Sequence, residues 1–200
     1  MTSRLQDQRL CVILAGGQST RFGQDKLLAR INGASLLEIL SRTLQSSRFE
    51  IVIAGHAKYR SLGHAVIEDQ HPFEGPLAPL TGLFDKLSAE RLLLVAGDMP
   101  FITKPFIDLL WDSSAESALT LATGPAGVTP LPGVYASSLS PIIRRFLREG
   151  HRDLRSLIGA APSATIVPGK KVIAVDPNGQ SFRNINTPSD LREAVLNHVL

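Results

Sequence analysis

The run Arg91-Leu-Leu-Leu-Val-Ala96 constrains the fold more than any other segment, because its apolar residues are consecutive and not alternating. Such a strand must be covered on both faces, the environment of a central parallel strand between two layers of helices. Cys11-Val-Ile-Leu-Ala15 repeats the pattern, and Phe49-Glu-Ile-Val-Ile-Ala54 and Ala65-Val-Ile67 are further strand-length runs. Segments of helical period separate them. Ser35-Leu-Leu-Glu38 is a capping box ahead of an apolar face of Leu36, Leu37, Ile39, Leu40 and Leu44. Leu77 to Leu87 follows the breaker Gly75-Pro76, and Thr103-Lys-Pro105 opens a helix toward Trp111. Pro141 suits a first helical turn, Gly150 a helix end, and Thr187-Pro-Ser-Asp190 starts the last helix. This alternation predicts an α/β fold, a doubly wound, Rossmann-like, mainly parallel sheet with helices on both faces. In the second half, Ser117 to Ala122 and Gly133 to Tyr135 read as strands around a Gly/Pro-rich loop from Gly124 to Pro132. Asp153 to Ile158 reads as a short helix, and Thr165 to Val167 and Val172 to Val175 as two more strands.

Length and charge narrow the function. A chain of 200 residues without repeats or a linker is expected to form one domain over residues 1–200. The 21 Lys+Arg and 18 Asp+Glu leave +3, and the basic residues show no aromatic interleaving, so no nucleic-acid partner is expected. The single cysteine, Cys11, excludes an internal disulfide and a Cys-rich zinc site. No apolar run approaches the roughly 20 residues that cross a bilayer, and the N-terminal residues are polar. The expectation is a soluble, cytoplasmic protein that no membrane engages.

In an open parallel sheet, ligands bind beyond the carboxyl ends of the strands. Two strand ends carry chemistry. The first is Leu14-Ala-Gly-Gly-Gln-Ser-Thr-Arg-Phe-Gly-Gln-Asp-Lys26. Its glycines let backbone N–H groups approach an anion, Arg21 can fork two phosphate oxygens, and Lys26 is a compact point charge. The spacing fits neither G-x-G-x-x-G nor the G-K-[ST] of a P-loop, so the residues alone leave open a glycine turn with surface cations. The second is Val95-Ala-Gly-Asp98-Met-Pro100, where an acid at the tip of a buried strand either holds Mg²⁺ or merely turns the chain. A cationic glycine loop together with a metal-binding acid is equipment for a nucleoside triphosphate.

The first loop resembles the L-A-G-G-x-S-x-R-[FM]-G-x-D-K signature of the nucleotidyltransferase superfamily. Val66-Ile-Glu-Asp69, Gly75-Pro-Leu-Ala78, Gly97-Asp-Met-Pro-Phe101 and Asn184-Ile-Asn-Thr-Pro-Ser-Asp-Leu191 follow in order. With them nearly the whole chain is similar to the molybdenum cofactor guanylyltransferases, the MobA type. The resemblance implies that Leu14, Ala15 and Gly16 line the guanine and ribose site, and that Gly17, Arg21 and Lys26 hold the triphosphate. It further implies that Asp69 contacts the nucleotide and that Asp98 coordinates Mg²⁺, with Asn184 or Asn186 on the metal or acceptor side. Arg21, Lys26 and Asp98 are then the catalytic set.

The reaction so implied moves GMP from GTP to molybdopterin or Mo-molybdopterin and releases pyrophosphate. Its phosphate nucleophile is already anionic, so positioning and charge neutralisation suffice without a Ser-His-Asp triad. Among the arginines from Arg144 to Arg155, Arg152 is the expected acceptor contact, because it lies beyond the helix end. Other cofactor-biosynthesis proteins and acceptor molybdoenzymes are implied partners. Two departures from the family touch recognition: Ala54 stands where Asn is frequent, and Gly124 to Pro130 carries no ionisable side chain. They keep two other expectations in view, a molybdopterin cytidylyltransferase or another NTP-transferase of this fold, and a non-catalytic nucleotide-binding regulator or adaptor. The five histidines show no metal-ligand spacing, and Cys11 is expected to be inert.

Overall fold

The computed structural model describes residues 9–16, 22, 25–68 and 75–197. In chain order the strands and helices are β1 (Leu10–Ala15), β2 (Arg30–Ile31), β3 (Ala34–Ser35), α1 (Leu36–Ser46), β4 (Glu50–Gly55), β5 (Ala65–Ile67), α2 (Ala78–Leu87) and β6 (Arg91–Ala96). They continue with α3 (Lys104–Asp112), β7 (Leu119–Gly124), β8 (Gly127–Ala136), α4 (Ser140–Arg148), β9 (Ala164–Val167), α5 (Gly169–Val175) and α6 (Pro188–Asn197). Seven strands form one sheet in the order β5-β4-β1-β6-β8-β7-β9, and β2 and β3 form a small separate ribbon. Only β8 runs against its neighbours β6 and β7; the remaining pairs are parallel.

The consecutive apolar runs are divided between two cores, as a strand's period of two demands. From β1, Cys11, Ile13 and Ala15 face Leu37, Leu40 and Leu44 of α1 and Phe106, Ile107 and Leu110 of α3. Leu10 and Val12 point the other way, into a core with Leu80 and Leu83 of α2 and Ile143 of α4. Helices therefore cover both faces of the sheet. Each of these leucines is nearly fully buried, and each contributes roughly 2 kcal/mol by leaving water.

The capping box is formed as expected. The Glu38 N–H donates to Ser35 Oγ at 3.2 Å, and the Ser35 N–H donates to Glu38 Oε2 at 2.6 Å. Ser35→Ala is expected to cost about 1 kcal/mol of stability, read as a lower thermal midpoint. The Ser35 backbone N–H, and after it the Ser35 hydroxyl, hold the Glu38 carboxyl below its usual range. A depressed folded-state value means stability present above the unfolded value of about 4.3 and lost as pH falls through the lower folded one. The midpoint difference between the wild type and Glu38→Ala should therefore be clear at pH 7 and shrink toward pH 3.

Two expectations need correction. Val172 to Val175 is not a strand but the core of helix α5. Val172, Val175 and Asp176 recur at helical spacing toward the interior, while Ile173 is 62% exposed. A short apolar run cannot itself distinguish the two periods, and contacts with β7 and α3 decide it. The Gly124 to Pro132 stretch, expected as a loop, is mostly ladder. β7 ends at Gly124, β8 begins at Gly127, and these two glycines pair across a turn of Pro125 and Ala126. Gly127 has φ +100, a conformation that disfavours any residue with a Cβ, so the hairpin closes at a glycine.

The connections decide where a ligand can sit. From β1 the chain passes to β4 on one side and returns to β6 on the other. The sheet's winding reverses between β1 and β6, and a crevice opens at their carboxyl ends.

Candidate functional site

At that crevice the two strand tips are tied together. The Gly97 N–H donates to the Leu14 carbonyl at 2.9 Å, one step beyond the end of β6. A Cβ on Gly97 would lie 3.1 Å from a methyl of Leu27 and 3.2 Å from both the Leu14 oxygen and a methyl of Leu37. Glycine thus lets β6 leave the sheet against β1, and Asp98 emerges at the mouth of the crevice.

Lys26 reaches the same place from the other tip. Asp25 caps a short 3-10 turn, Lys26–Leu28, by accepting the Leu27 N–H at 3.1 Å. Leu27 is buried in the core shared by α1 and α3, which fixes the turn from below. The Lys26 Nζ then donates to Asp98 Oδ2 at 2.6 Å and to Asn186 Oδ1 at 3.1 Å. Asn184 Nδ2 donates to Asp98 Oδ1 at 3.1 Å. The Asn184-Ile-Asn186 segment is anchored by the buried Ile185, whose N–H donates to the Asp98 carbonyl at 2.8 Å. It is held from behind as well, because Asp190 Oδ2 accepts the N–H groups of Asn186 and Thr187, both at 2.8 Å. Those bonds, Asn186 first, keep the Asp190 carboxyl below its usual range, so near neutrality it is an acceptor only.

Lys26, Asp98, Asn184 and Asn186 therefore converge, although 160 positions separate the first and last. Leu14, Ala15 and Gly16 lie on the neighbouring tip of β1 and the residue after it. Gly17, Arg21 and Asp69, also expected in the site, lie outside the described residues. Arg152, expected as an acceptor contact, lies near the end of α4. Its guanidinium turns back onto the carbonyls of Leu147 and His151, at 3.0 and 2.9 Å. Its own carbonyl accepts the Leu77 N–H, so its backbone braces the start of α2.

Beside the polar cluster lies a cavity of 510 Å³, walled by Ala96, Met99, the β7–β8 hairpin, Phe182 and Asn184. Two arginines line it, Arg155 and Arg183. Arg183 is committed to Glu193 at 2.9 Å and lies over the Phe101 ring. Arg155 has no carboxylate partner among the described residues. The sequence offered one signal for it, the run of arginines, but no means of choosing within that run. The cavity had no sequence signal, because residues of the uncharged hairpin form much of its wall.

The donor set suits a divalent ion that arrives with phosphate. Mg²⁺ takes one or two carboxylates and completes its octahedron with phosphate oxygens and water, so it needs no all-protein cage. Asp98 supplies one carboxylate; the Asn184 amide nitrogen lies 3.1 Å from its Oδ1, and the Asn186 Oδ1 lies 3.1 Å from the Lys26 ammonium. Among the described residues no group of three or more Asp, Glu, His or Cys side chains gathers, at this site or any other. Cys11 is fully buried in the core, and that burial raises its thiol well above its ordinary value, so it is unreactive. No helix of the described residues is long and apolar enough to cross a membrane.

Comparisons with known proteins place this geometry in a family. Residues 11–165 match the MobA-like NTP transferase domain. A probable molybdenum cofactor guanylyltransferase of Pyrococcus horikoshii is 31% identical over 191 residues, covering 91% of this chain and 96% of its own. The molybdenum cofactor guanylyltransferase of Serratia proteamaculans is 30% identical over 184 residues, covering 90% of each chain. The crystal structure of molybdopterin-guanine dinucleotide biosynthesis protein A from Archaeoglobus fulgidus has the same fold, with a TM-score of 0.76 over 94% of this chain and 97% of that one, at 23% identity.

Proposed function

The chain belongs to the MobA-like NTP transferase family, and from that premise we propose that it transfers GMP from GTP to molybdopterin or its molybdenum-loaded form. In this reading a terminal phosphate oxygen of the acceptor attacks the α-phosphorus of GTP. The bond from that phosphorus to the β-phosphate bridging oxygen breaks, a new phosphoanhydride forms, and pyrophosphate leaves. The nucleophile carries its charge at pH 7, so no general base is required. What the protein must do is hold two anions in line and neutralise them.

The observation that carries the reading is the convergence of Lys26, Asp98, Asn184 and Asn186 at the winding reversal of the sheet, beside a cavity large enough for an acceptor. Lys26 offers its ammonium to the triphosphate, together with Arg21 and the Gly16-Gly17 backbone. The Leu14, Ala15 and Gly16 backbone faces the base and ribose, with Asp69 as a further nucleotide contact. Asp98, with Asn184 or Asn186, would hold Mg²⁺, which when bound shields phosphate charge and eases departure of pyrophosphate. The acceptor's bulk occupies the 510 Å³ cavity, with Arg155, and not Arg152, as its cationic wall.

Incubating the purified protein with each labelled nucleoside triphosphate, Mg²⁺ and molybdopterin tests the reading. GTP should be consumed, with pyrophosphate and a guanine dinucleotide as products. Consumption of CTP in place of GTP overturns the choice of base. GTP binding without pyrophosphate release makes the chain a non-catalytic binder.

A further inference from the structure

The residue before Lys26 is held by a segment that no feature of the proposed reaction requires. Asp25 Oδ1 caps the turn that begins at Lys26, and its Oδ2 receives two donors from the other side of β1. One is the Tyr59 hydroxyl at 2.9 Å; the other is the Lys58 ammonium at 2.7 Å. Both come from the 3-10 turn Ala57–Leu62 between β4 and β5, outside the crevice. Tyr59 is 3% exposed, packed in the same core as Leu27, and its hydroxyl ends on Asp25. A buried phenol that reaches a carboxylate is a directed contact, since a phenylalanine would fill the same core without a polar group to satisfy. Burial and the adjacent Asp25 charge push the phenol upward, so it remains a donor through the neutral range. Lys58 is 44% exposed on its side chain and adds a screened charge.

We propose that Tyr59, assisted by Lys58, is a positioning residue: it fixes the Asp25 carboxylate, which fixes the start of the Lys26 turn and therefore the place of the Lys26 ammonium. The geometry gives the chain of contacts in order. Tyr59 and Lys58 hold Oδ2, Oδ1 holds the Leu27 N–H, Leu27 plugs against Gly97, and Lys26 projects from between them to Asp98. If Asp25 is released, the turn loses its cap, and a small rotation at the Lys26 Cα is magnified along four methylenes at the ammonium. This inference rests on the triphosphate role given to Lys26 above, and one arm of its test does not use that role.

Tyr59→Phe keeps the ring and removes the bond. Competitive acetylation read by mass spectrometry compares the Lys26 amine with Lys86, which is exposed on α2. In Tyr59→Phe the Lys26 reactivity relative to Lys86 should rise several-fold. In steady-state assays the KM for GTP should rise about tenfold, the loss expected for a charged hydrogen bond, with a smaller change in kcat. Combined with Lys26→Ala, Tyr59→Phe should shift KM by less than about twofold, since the positioned group is then gone. Asp25→Asn, which keeps a capping oxygen and weakens both bonds to Oδ2, should reproduce the reactivity change even if Tyr59→Phe folds poorly. Unchanged Lys26 reactivity in both variants, or an equal KM penalty with and without Lys26, overturns the proposal and reduces Tyr59 to a core residue. Should the wild type transfer no nucleotide at all, the transfer reading fails by itself, and the acetylation ratio still decides the positioning.

Discussion

Asp98→Ala should lower turnover by about 10² to 10³-fold while leaving the protein folded and able to bind nucleotide. Among the described residues Asp98 is the one carboxylate of the convergent cluster, and its two oxygens organise it: Oδ2 takes the Lys26 ammonium at 2.6 Å and Oδ1 the Asn184 amide at 3.1 Å. Alanine removes both acceptors and the candidate ligand for a divalent ion, so the charge that neutralises developing phosphate negativity is no longer placed. The fold should survive, because the Asp98 main chain still accepts the Ile185 N–H at 2.8 Å and Gly97 still closes onto Leu14. Asp98→Asn separates the two roles, keeping an oxygen for Asn184 and losing the charge; it should be nearly as inactive as alanine. Pyrophosphate release measures the rate, and calorimetric titration with GTP measures binding. Full turnover by Asp98→Ala would remove the basis for the proposed reaction.

Asp176→Ala should destabilise the protein by about 3 kcal/mol, the cost of stranding buried donors of a charged acceptor. Its carboxylate is 3% exposed and accepts the N–H groups of Gln180 and Ser181 at 3.1 and 2.8 Å. The Ser181 hydroxyl in turn accepts the Thr103 N–H at 3.0 Å, just before α3. Phe182 then packs on Phe106, with ring centroids 5.0 Å apart. These contacts carry the chain from α5 across the end of α3 and deliver Asn184 and Asn186 to the crevice. For a chain of this size the loss corresponds to a thermal midpoint about 6 to 12 °C lower. Turnover should fall as well, since two of the four convergent side chains follow this segment. Asp176→Asn, which keeps one acceptor oxygen, should lie between. A midpoint within a degree of the wild type for Asp176→Ala would show that the bracing is dispensable.

Much of the site was legible in the order of residues, and the reason is local. A glycine-rich strand exit, a cation at its end, an acid two residues past a buried strand and a paired asparagine segment each require their residue types in short, contiguous windows. The sheet was legible for the same reason, because β1, β4 and β6 are apolar runs whose burial on both faces leaves them no other environment. The misreadings share a different cause. Val172 to Val175 has too few residues for its period to be recognised, and its helix is selected by what lies beneath it. The Gly124 to Pro132 stretch has loop composition, yet its backbone is satisfied by β7 and by itself, with Gly127 making the bend. Apart from these misreadings, Arg152 and Arg155 are alike in a string of arginines: the first bonds to carbonyls at the end of α4 and the second lines the cavity, a difference in placement only the path of the chain can make.

The amino-acid order by itself determined which segments are strands buried on both faces, that they form a doubly wound sheet, and that Lys26, Asp98, Asn184 and Asn186 stand at strand exits or beside a cap. Periodicity, capping and glycine chemistry act over a few residues, so they are readable in one dimension. Only the tertiary structure decided that Lys26 meets Asp98, that Asp25 is gripped by Tyr59 from another crossover, that Asp176 braces the asparagine segment and that Arg155 faces a cavity. The Asp25–Tyr59, Lys26–Asp98 and Lys26–Asn186 contacts join positions 34, 72 and 160 residues apart, and the order of winding around β1 brings them within reach.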